Sequence, residues 1–234
     1  MKIIHKILIS ICFLISSAIQ CQTSDQVMKS MIAKYTEPKA LKFEIKYNLY
    51  KNHFTNTIHE SYLGTFIKNP KNEVLMKVGT NEIVTTKKYV VQVDHKHKTM
   101  LLNNPPRSSS NLTKDIENLV SLCEETSFKD YIDHWEITYV PKQFSGLLYS
   151  KILLKINKDH TLKKQVFYYN TKYNFSRDYK KDLSEFPRLE MIYSHYIHNV
   201  PLDLINSDLY IKINNKTIIA TSKYKSYKIF DSRK

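Results

Sequence analysis

Glycine is nearly absent, with three residues in 234. A glycine-rich loop that cradles phosphate is therefore excluded in practice, and none of the GxGxxG, P-loop, GxSxG or HExxH signatures occurs. Cysteine is equally scarce, also three. Cys12 lies inside the N-terminal apolar run and Cys21 just beyond it, so only Cys123 is certain to remain in an exported chain, and a disulfide framework is excluded. Cys123 falls on the apolar face of an expected helix and reads as a small buried hydrophobe rather than a nucleophile. Beyond residue 19 no apolar stretch approaches the roughly 20 residues a transmembrane helix needs. Arginine is sparse, and no block of five or more basic residues occurs although the net charge is +14. Lysines spread this evenly point to solubility or to affinity for an anionic membrane surface, and together with an export signal they argue against nucleic acid.

That export signal is what the N-terminus supplies. Lys2, His5 and Lys6 form a basic front, and Ile7–Ile19 (ILISICFLISSAI) is apolar with small residues near its end. This is the layout of a secretory signal peptide, assigned to residues 1–21. Cleavage can follow Ala18, Gln20 or Cys21. In a lipoprotein, Cys21 would instead carry the acyl anchor, although Gln20 before it is a poor fit to that pattern. The remaining residues, 22–234, are of a size for one domain with a real core.

Residues 24–35 (SDQVMKSMIAKY) have helical spacing, with Ser24 as cap and Val27, Met31 and Ile32 on one face. The period then drops to two. In LKFEIKYNLY, Leu41, Phe43, Ile45, Tyr47 and Leu49 alternate with polar residues. Further strands are expected at 57–68, 73–78, 82–86, 88–94 and 98–102, separated by turns, as in an antiparallel meander. A second helix is expected over Leu112–Cys123, with Ile116, Leu119 and Val120 on its apolar face. Strands resume at 135–140, 147–156, 161–169, 188–198, 208–213 and 224–230, with 170–186 as a long loop.

Large side chains fall on one face of these strands: Phe43, Ile45 and Tyr47, then Tyr62 and Phe66, then Met76. The second block repeats the pattern with Ile152, Leu154 and Ile156, then Val166 and Tyr168, then Met191 and Tyr193. A sheet of eleven or twelve strands curls. Curled around two helices, it has an apolar inner face able to hold acyl chains, each buried methylene contributing about 0.8 kcal/mol.

The order of elements, with YLGTFIKNP at 62–70 and a Tyr-Val-x-x-Val-Asp pattern at 89–94, resembles the LolA-like family, the periplasmic carriers of outer-membrane lipoproteins. Two of the family's features are missing. Thr85-Thr86-Lys87-Lys88 stands where it has a Ser-Asp-Gly turn, and no tryptophan accompanies the Gly64 stretch. The resemblance implies an unclosed antiparallel β-barrel lidded by helices, with an apolar cavity for lipid or lipoprotein acyl chains and no cofactor. It makes Phe43, Ile45, Tyr47, Tyr62, Phe66, Met76, Ile152, Leu154, Met191 and Tyr193 the cavity candidates. Val27, Met31, Ile116 and Leu119 are then the lid.

Two other classes compete with the carrier. One, which the absence of a cavity would favour, is an envelope interaction, scaffold or sensor protein with a packed core and no lipid ligand, its partners being membrane-associated envelope proteins. The other is a hydrolase built on His134 or His195, which would need a carboxylate and a nucleophile beside the histidine. His95 and His97 with Asp94 resemble a metal cluster but sit at an expected hairpin tip, where a third and fourth ligand are missing.

Overall fold

The computed structural model describes residues 22–105, 112–178, 180–201, 204–214 and 217–233. The expected signal peptide and Cys21 lie outside these residues. The first helix, α1 (Ser24–Thr36), begins one residue earlier than its apolar pattern suggests, because Thr23 and not Ser24 is the cap. The Thr23 hydroxyl accepts from the Gln26 amide while the Gln26 side chain accepts from the Thr23 amide, a reciprocal capping box.

After α1 the chain runs as a meander through β1 (Leu41–Tyr50), β2 (Ile58–Lys68), β3 (Val74–Val78), β4 (Asn81–Thr85), β5 (Val90–Asp94) and β6 (Thr99–Asn103). Helix α2 (Leu112–Ser121) leads straight into β7 (Cys123–Asp130), β8 (His134–Pro141), β9 (Tyr149–Asn157) and β10 (Leu162–Tyr169). The 170–187 segment carries a two-residue hairpin, β11 (Tyr173–Asn174) with β12 (Ser184–Glu185). Then come β13 (Arg188–Ile197), a hairpin of β14 (Ile211–Asn214) and β15 (Thr217–Ala220), and β16 (Lys228–Asp231). Twelve strands form one sheet in the order β16-β6-β5-β4-β3-β2-β1-β13-β10-β9-β8-β7. β7 and β16 are its two unpaired edges, so the sheet does not close. It is antiparallel except for β16, which pairs parallel to β6. This is the mainly β, helix-lidded half-barrel architecture expected from the sequence.

Four elements differ from that expectation. Strand β7 takes over from the expected helix at Cys123. Its sequence, CEETSFKD, carries little apolar surface because an edge strand buries only part of one face. β15 was hidden in the C-terminal polar stretch, and the last strand starts at Lys228, after a 3-10 turn at Ser222–Tyr224. In β10, Phe167 and Gln165 face the helices, whereas Val166 and Tyr168 pair with Glu190 and Arg188 on the other face. An irregularity between Leu162 and Lys164 shifts the alternation there.

The sheet has a core on each face. On the inner face, which carries α1 and α2, Val27, Met31, Phe43, Ile137, Ile152 and Leu154 are buried together. On the outer face, Ile67, Leu75, Val84, Val91 and Leu102 form a row across β2–β6. The C-terminal segment covers that row with Ile205, Tyr210, Ile211 and Tyr224. The neighbours Phe66 and Ile67 belong to opposite cores, as the two-residue period of a strand demands.

Candidate ligand-binding face

Strand register defines one row along the inner face: Phe43, Phe66, Met76, Ile83, Gln92, Leu101 and Phe230, each directly opposite the next. The row begins under α1. Phe43 and Phe66 stack at 4.8 Å with their planes 19° apart, and Tyr35 of α1 meets Phe43 edge-on at 5.9 Å. Beyond Phe66 the helices no longer cover it. Met76, Val78, Ile83 and Leu101 are only partly buried, and Phe230 is 44% exposed. Together with Asn81 and Gln92 they line an open trough of about 410 Å³. Ligand pockets run from roughly 300 to 1,000 Å³, so the trough is large enough for a slender apolar group.

The sequence-derived candidates divide between the covered and open parts. Phe43, Ile45, Phe66, Ile152, Leu154 and Tyr193 are buried in the inner core, and Tyr47 and Met191 pack against it partly buried. Tyr62, opposite Tyr47, is 50% exposed, and Met76 lines the trough. The lid candidates Val27, Met31 and Ile116 are buried in the same core, with Leu119 at its margin. Gly64 lies between Ile45 and Val78 on this face. A Cβ there would meet the Lys77 carbonyl and the Tyr47 ring at 2.9 Å each, so the glycine leaves room for the Tyr47 ring to approach the strand.

Helix α1 is tied down by polar contacts. The Lys68 ammonium, from the inner face of β2, donates to the Tyr35 and Glu37 carbonyls at 2.6 Å each. These lie at the C-terminal end of α1, where carbonyls lack intrahelical partners and the dipole is negative. Burial pulls the ammonium below its ordinary value, and the nearby Glu37 partly offsets this. Lys34 adds an exposed pair to Asp159 at 3.2 Å.

A second apolar recess, about 320 Å³, lies under the 170–187 segment, floored by Leu49, Leu148, Tyr169 and Pro187 with Phe175 at its side. Sequence reasoning named neither this recess nor the trough residues Ile83, Leu101 and Phe230. The strands NEIVT and TMLLN show which residues alternate. Only their pairing through β3 and β2 to Phe43 shows which set faces inward.

The histidines of interest diverge. His97 Nδ1 meets Asp94 at 2.6 Å, whereas His95 turns to the Tyr227 hydroxyl at 2.9 Å and to Glu82 at 3.4 Å. Among the described residues no three His, Cys, Asp or Glu side chains converge as metal ligands would. At His195 both Ser194 Oγ and Glu44 approach the same nitrogen, Nδ1, at 3.1 and 3.0 Å. A general-base histidine needs nucleophile and carboxylate on opposite nitrogens, so this is not a triad. His134 Nδ1 contacts Asp133 at 2.6 Å, and the ring stacks on Tyr131. The Cys123 thiol donates to the Leu119 carbonyl at 3.3 Å, and burial pushes its pKa up.

No protein-family model matches the chain, and no curated protein matches it. Solved structures similar to it include an uncharacterised conserved protein from Thermus thermophilus, at TM-score 0.49 and 11% identity, over 89% of this chain and 99% of that one. A LolA superfamily protein from Nitrosomonas europaea is similar at TM-score 0.35 and 11% identity, over 80% and 99%. A DUF1329 family protein from Desulfovibrio piger is similar at TM-score 0.36 and 9% identity, over 78% and 96%. At such identities and scores the likenesses carry no argument about function, which has to come from the inner face. No helix among the described residues is long and apolar enough to cross a membrane.

Proposed function

We propose that this chain is an exported, periplasmic binding protein without chemistry of its own, which holds acyl chains of a lipid or lipoprotein on the inner face of its half-barrel. The observation that carries this reading is the row from Phe43 to Phe230, apolar except at Gln92, which the helices cover only as far as Phe66. An outer face with its own packed cover makes the uncovered inner strip stand out, because a sheet that needed only stability would cover both faces alike. In this reading an acyl chain enters along Met76, Ile83 and Leu101. It extends under α1 when that helix lifts, reaching Phe43, Ile45, Tyr193 and the Ile152–Leu154 wall.

The test is native mass spectrometry of the protein purified from an envelope fraction, followed by organic extraction and rebinding of a fluorescent fatty acid. A co-purifying acylated species, with rebinding weakened about tenfold or more by Ile83→Glu, supports the reading. A second reading is an envelope interaction protein with a sealed core. The burial of Phe43, Ile45, Ile152 and Leu154 against the helices favours it. It predicts a clean mass and no uptake of added lipid.

A further inference from the structure

Three loops meet at one end of the sheet, where β1, β8 and β10 finish and β2, β9 and β13 begin: residues 51–57, 142–148 and 170–187. They are joined to one another. Arg188 donates to the His53 and Thr55 carbonyls, the His53 ring contacts the Tyr169 carbonyl at 3.0 Å, and the Asn170 amide donates to the Leu148 carbonyl at 3.1 Å. From this joined end Phe54 and Phe144 project 91% and 94% exposed, with Tyr173 and Leu148 also mostly in solvent. A phenylalanine exposed to that extent gains nothing for the fold.

The charges of these loops are mainly positive. Lys51, Lys142, Lys172, Arg177 and Lys181 belong to the same three loops, and the Lys142 ammonium donates to the Ser121 carbonyl at 3.0 Å. Lys51 lies over the Phe175 ring at 5.8 Å, and Lys172 over Phe186 at 5.7 Å. The carboxylates of the same loops are Asp178, Asp182 and Glu185; Asp178 and Asp182 accept from the Lys180 and Ser184 amides and so cap local turns. The opposite end has a different character. Its exposed apolar tip, Ile132, is flanked by Asp130 and Asp133, which pair with Lys158 and Lys163.

We infer that the 51–57, 142–148 and 170–187 loops form a docking edge for an anionic lipid bilayer. Phe54 and Phe144 enter the headgroup region while the lysines of these loops meet lipid phosphates. Exposed aromatic tips with lysines on the same loops suit that interface, where the ring gains an apolar environment and the ammonium groups gain anionic partners. Each lysine close to such a surface strengthens binding by about fivefold, and that part is screened by salt. The inference stands whether or not the trough holds an acyl chain. The recess beneath the 170–187 segment lies at the same end and would face the bilayer.

The N-terminal apolar run partitions by itself, so the test has to report on position. The full chain carrying Phe54→Trp or Phe144→Trp is mixed with vesicles of phosphatidylcholine containing about 30% brominated phosphatidylglycerol. Emission at these positions should be quenched strongly, less so at high salt, and Ile132→Trp should not be quenched. In the Phe144→Trp chain, adding Phe54→Ser should lower the quenching at position 144 at unchanged thermal stability. Equal quenching at 132, or none at 54 and 144, overturns the inference. No quenching would leave an acidic protein as the occupant of this edge.

Discussion

The hydroxyls of Tyr35 on α1 and Tyr196 on β13 lie 2.7 Å apart, and between them they satisfy both backbone groups of Leu162. The Leu162 amide donates to the Tyr35 oxygen at 2.9 Å, and the Tyr196 hydroxyl donates to the Leu162 carbonyl at 2.7 Å. Tyr35 is then the donor to Tyr196. Pairing of β10 with β13 runs from Lys164 to Tyr168, so the two phenols take over where the ladder stops. Burial raises both phenol pKa values above the ordinary range, so the ring of hydrogen bonds is fully protonated at neutral pH. Tyr196→Phe leaves the buried Leu162 carbonyl without a partner. It should cost about 1–3 kcal/mol, read as a lower denaturation midpoint and faster amide exchange along α1.

That arrangement depends on a bulge. Tyr193 and Tyr196 both contact Phe43, at 5.8 and 5.1 Å, although residues three apart on a regular strand face opposite ways. The register with β1 slips between Lys42 and Glu44, and His195 there has φ +54°. A β-branched residue tolerates this backbone poorly and glycine tolerates it freely. His195→Val should therefore be less stable than His195→Gly by about 1–2 kcal/mol. The exposed contact to Glu44, lost in both, contributes at most about 1 kcal/mol. Equal urea midpoints for the two variants would contradict the bulge as the source of the effect.

Much of this was legible in the sequence, in a particular order of reliability. Strand β1 alternates so cleanly in LKFEIKYNLY that its inner set needed no structure. The capping of α1 misled by one residue because Thr23, Ser24 and Asp25 are all competent caps, and Gln26 decides among them. Facing was harder to read. Val166 and Tyr168 look like an inward pair, but the irregularity at Leu162 sends Gln165 and Phe167 inward instead. A bulge has no signature in composition, and neither has the register that aligns Ile83 and Leu101 with Phe43. The outer core was missed for a related reason. Its cover comes from residues 205–227, a polar and aromatic stretch whose apolar side chains are spaced by turns rather than by any period.

The outer cover has an acid-sensitive fastening. Burial would raise the pKa of Glu82. Hydrogen bonds from Lys77 and from the Tyr210 hydroxyl, both at 2.9 Å, outweigh this with the help of the Lys77 and His95 charges and hold the carboxyl below the usual glutamate value. A depressed folded-state pKa adds stability that is complete above the unfolded value of about 4.3 and is lost as pH falls through the folded one. Amide exchange in 205–227 should therefore accelerate as pH drops below about 4 after correction for intrinsic rates. Glu82→Gln should remove that pH dependence while loosening the segment at neutral pH. A variant that keeps the wild-type acid response would assign the effect to another carboxylate.

Whether α1 moves at all can be decided at Lys68. Its ammonium donates to two carbonyls at the end of α1, so Lys68→Met removes both bonds and keeps the apolar stem. Charge-assisted bonds of this kind contribute about 1.5–3 kcal/mol each, less the cost of desolvating the ammonium, the same burial that pulls its pKa down. The variant should lose roughly 1–3 kcal/mol, measured by urea denaturation. If α1 is the lid over Phe43 and Ile45, the same change should speed uptake of a fluorescent fatty acid several-fold, because the closed state is destabilised relative to the open one. Uptake is the discriminating readout. A chain that loses stability without binding faster has α1 as a fixed wall of the core, and any ligand is then confined to the trough between Met76 and Phe230.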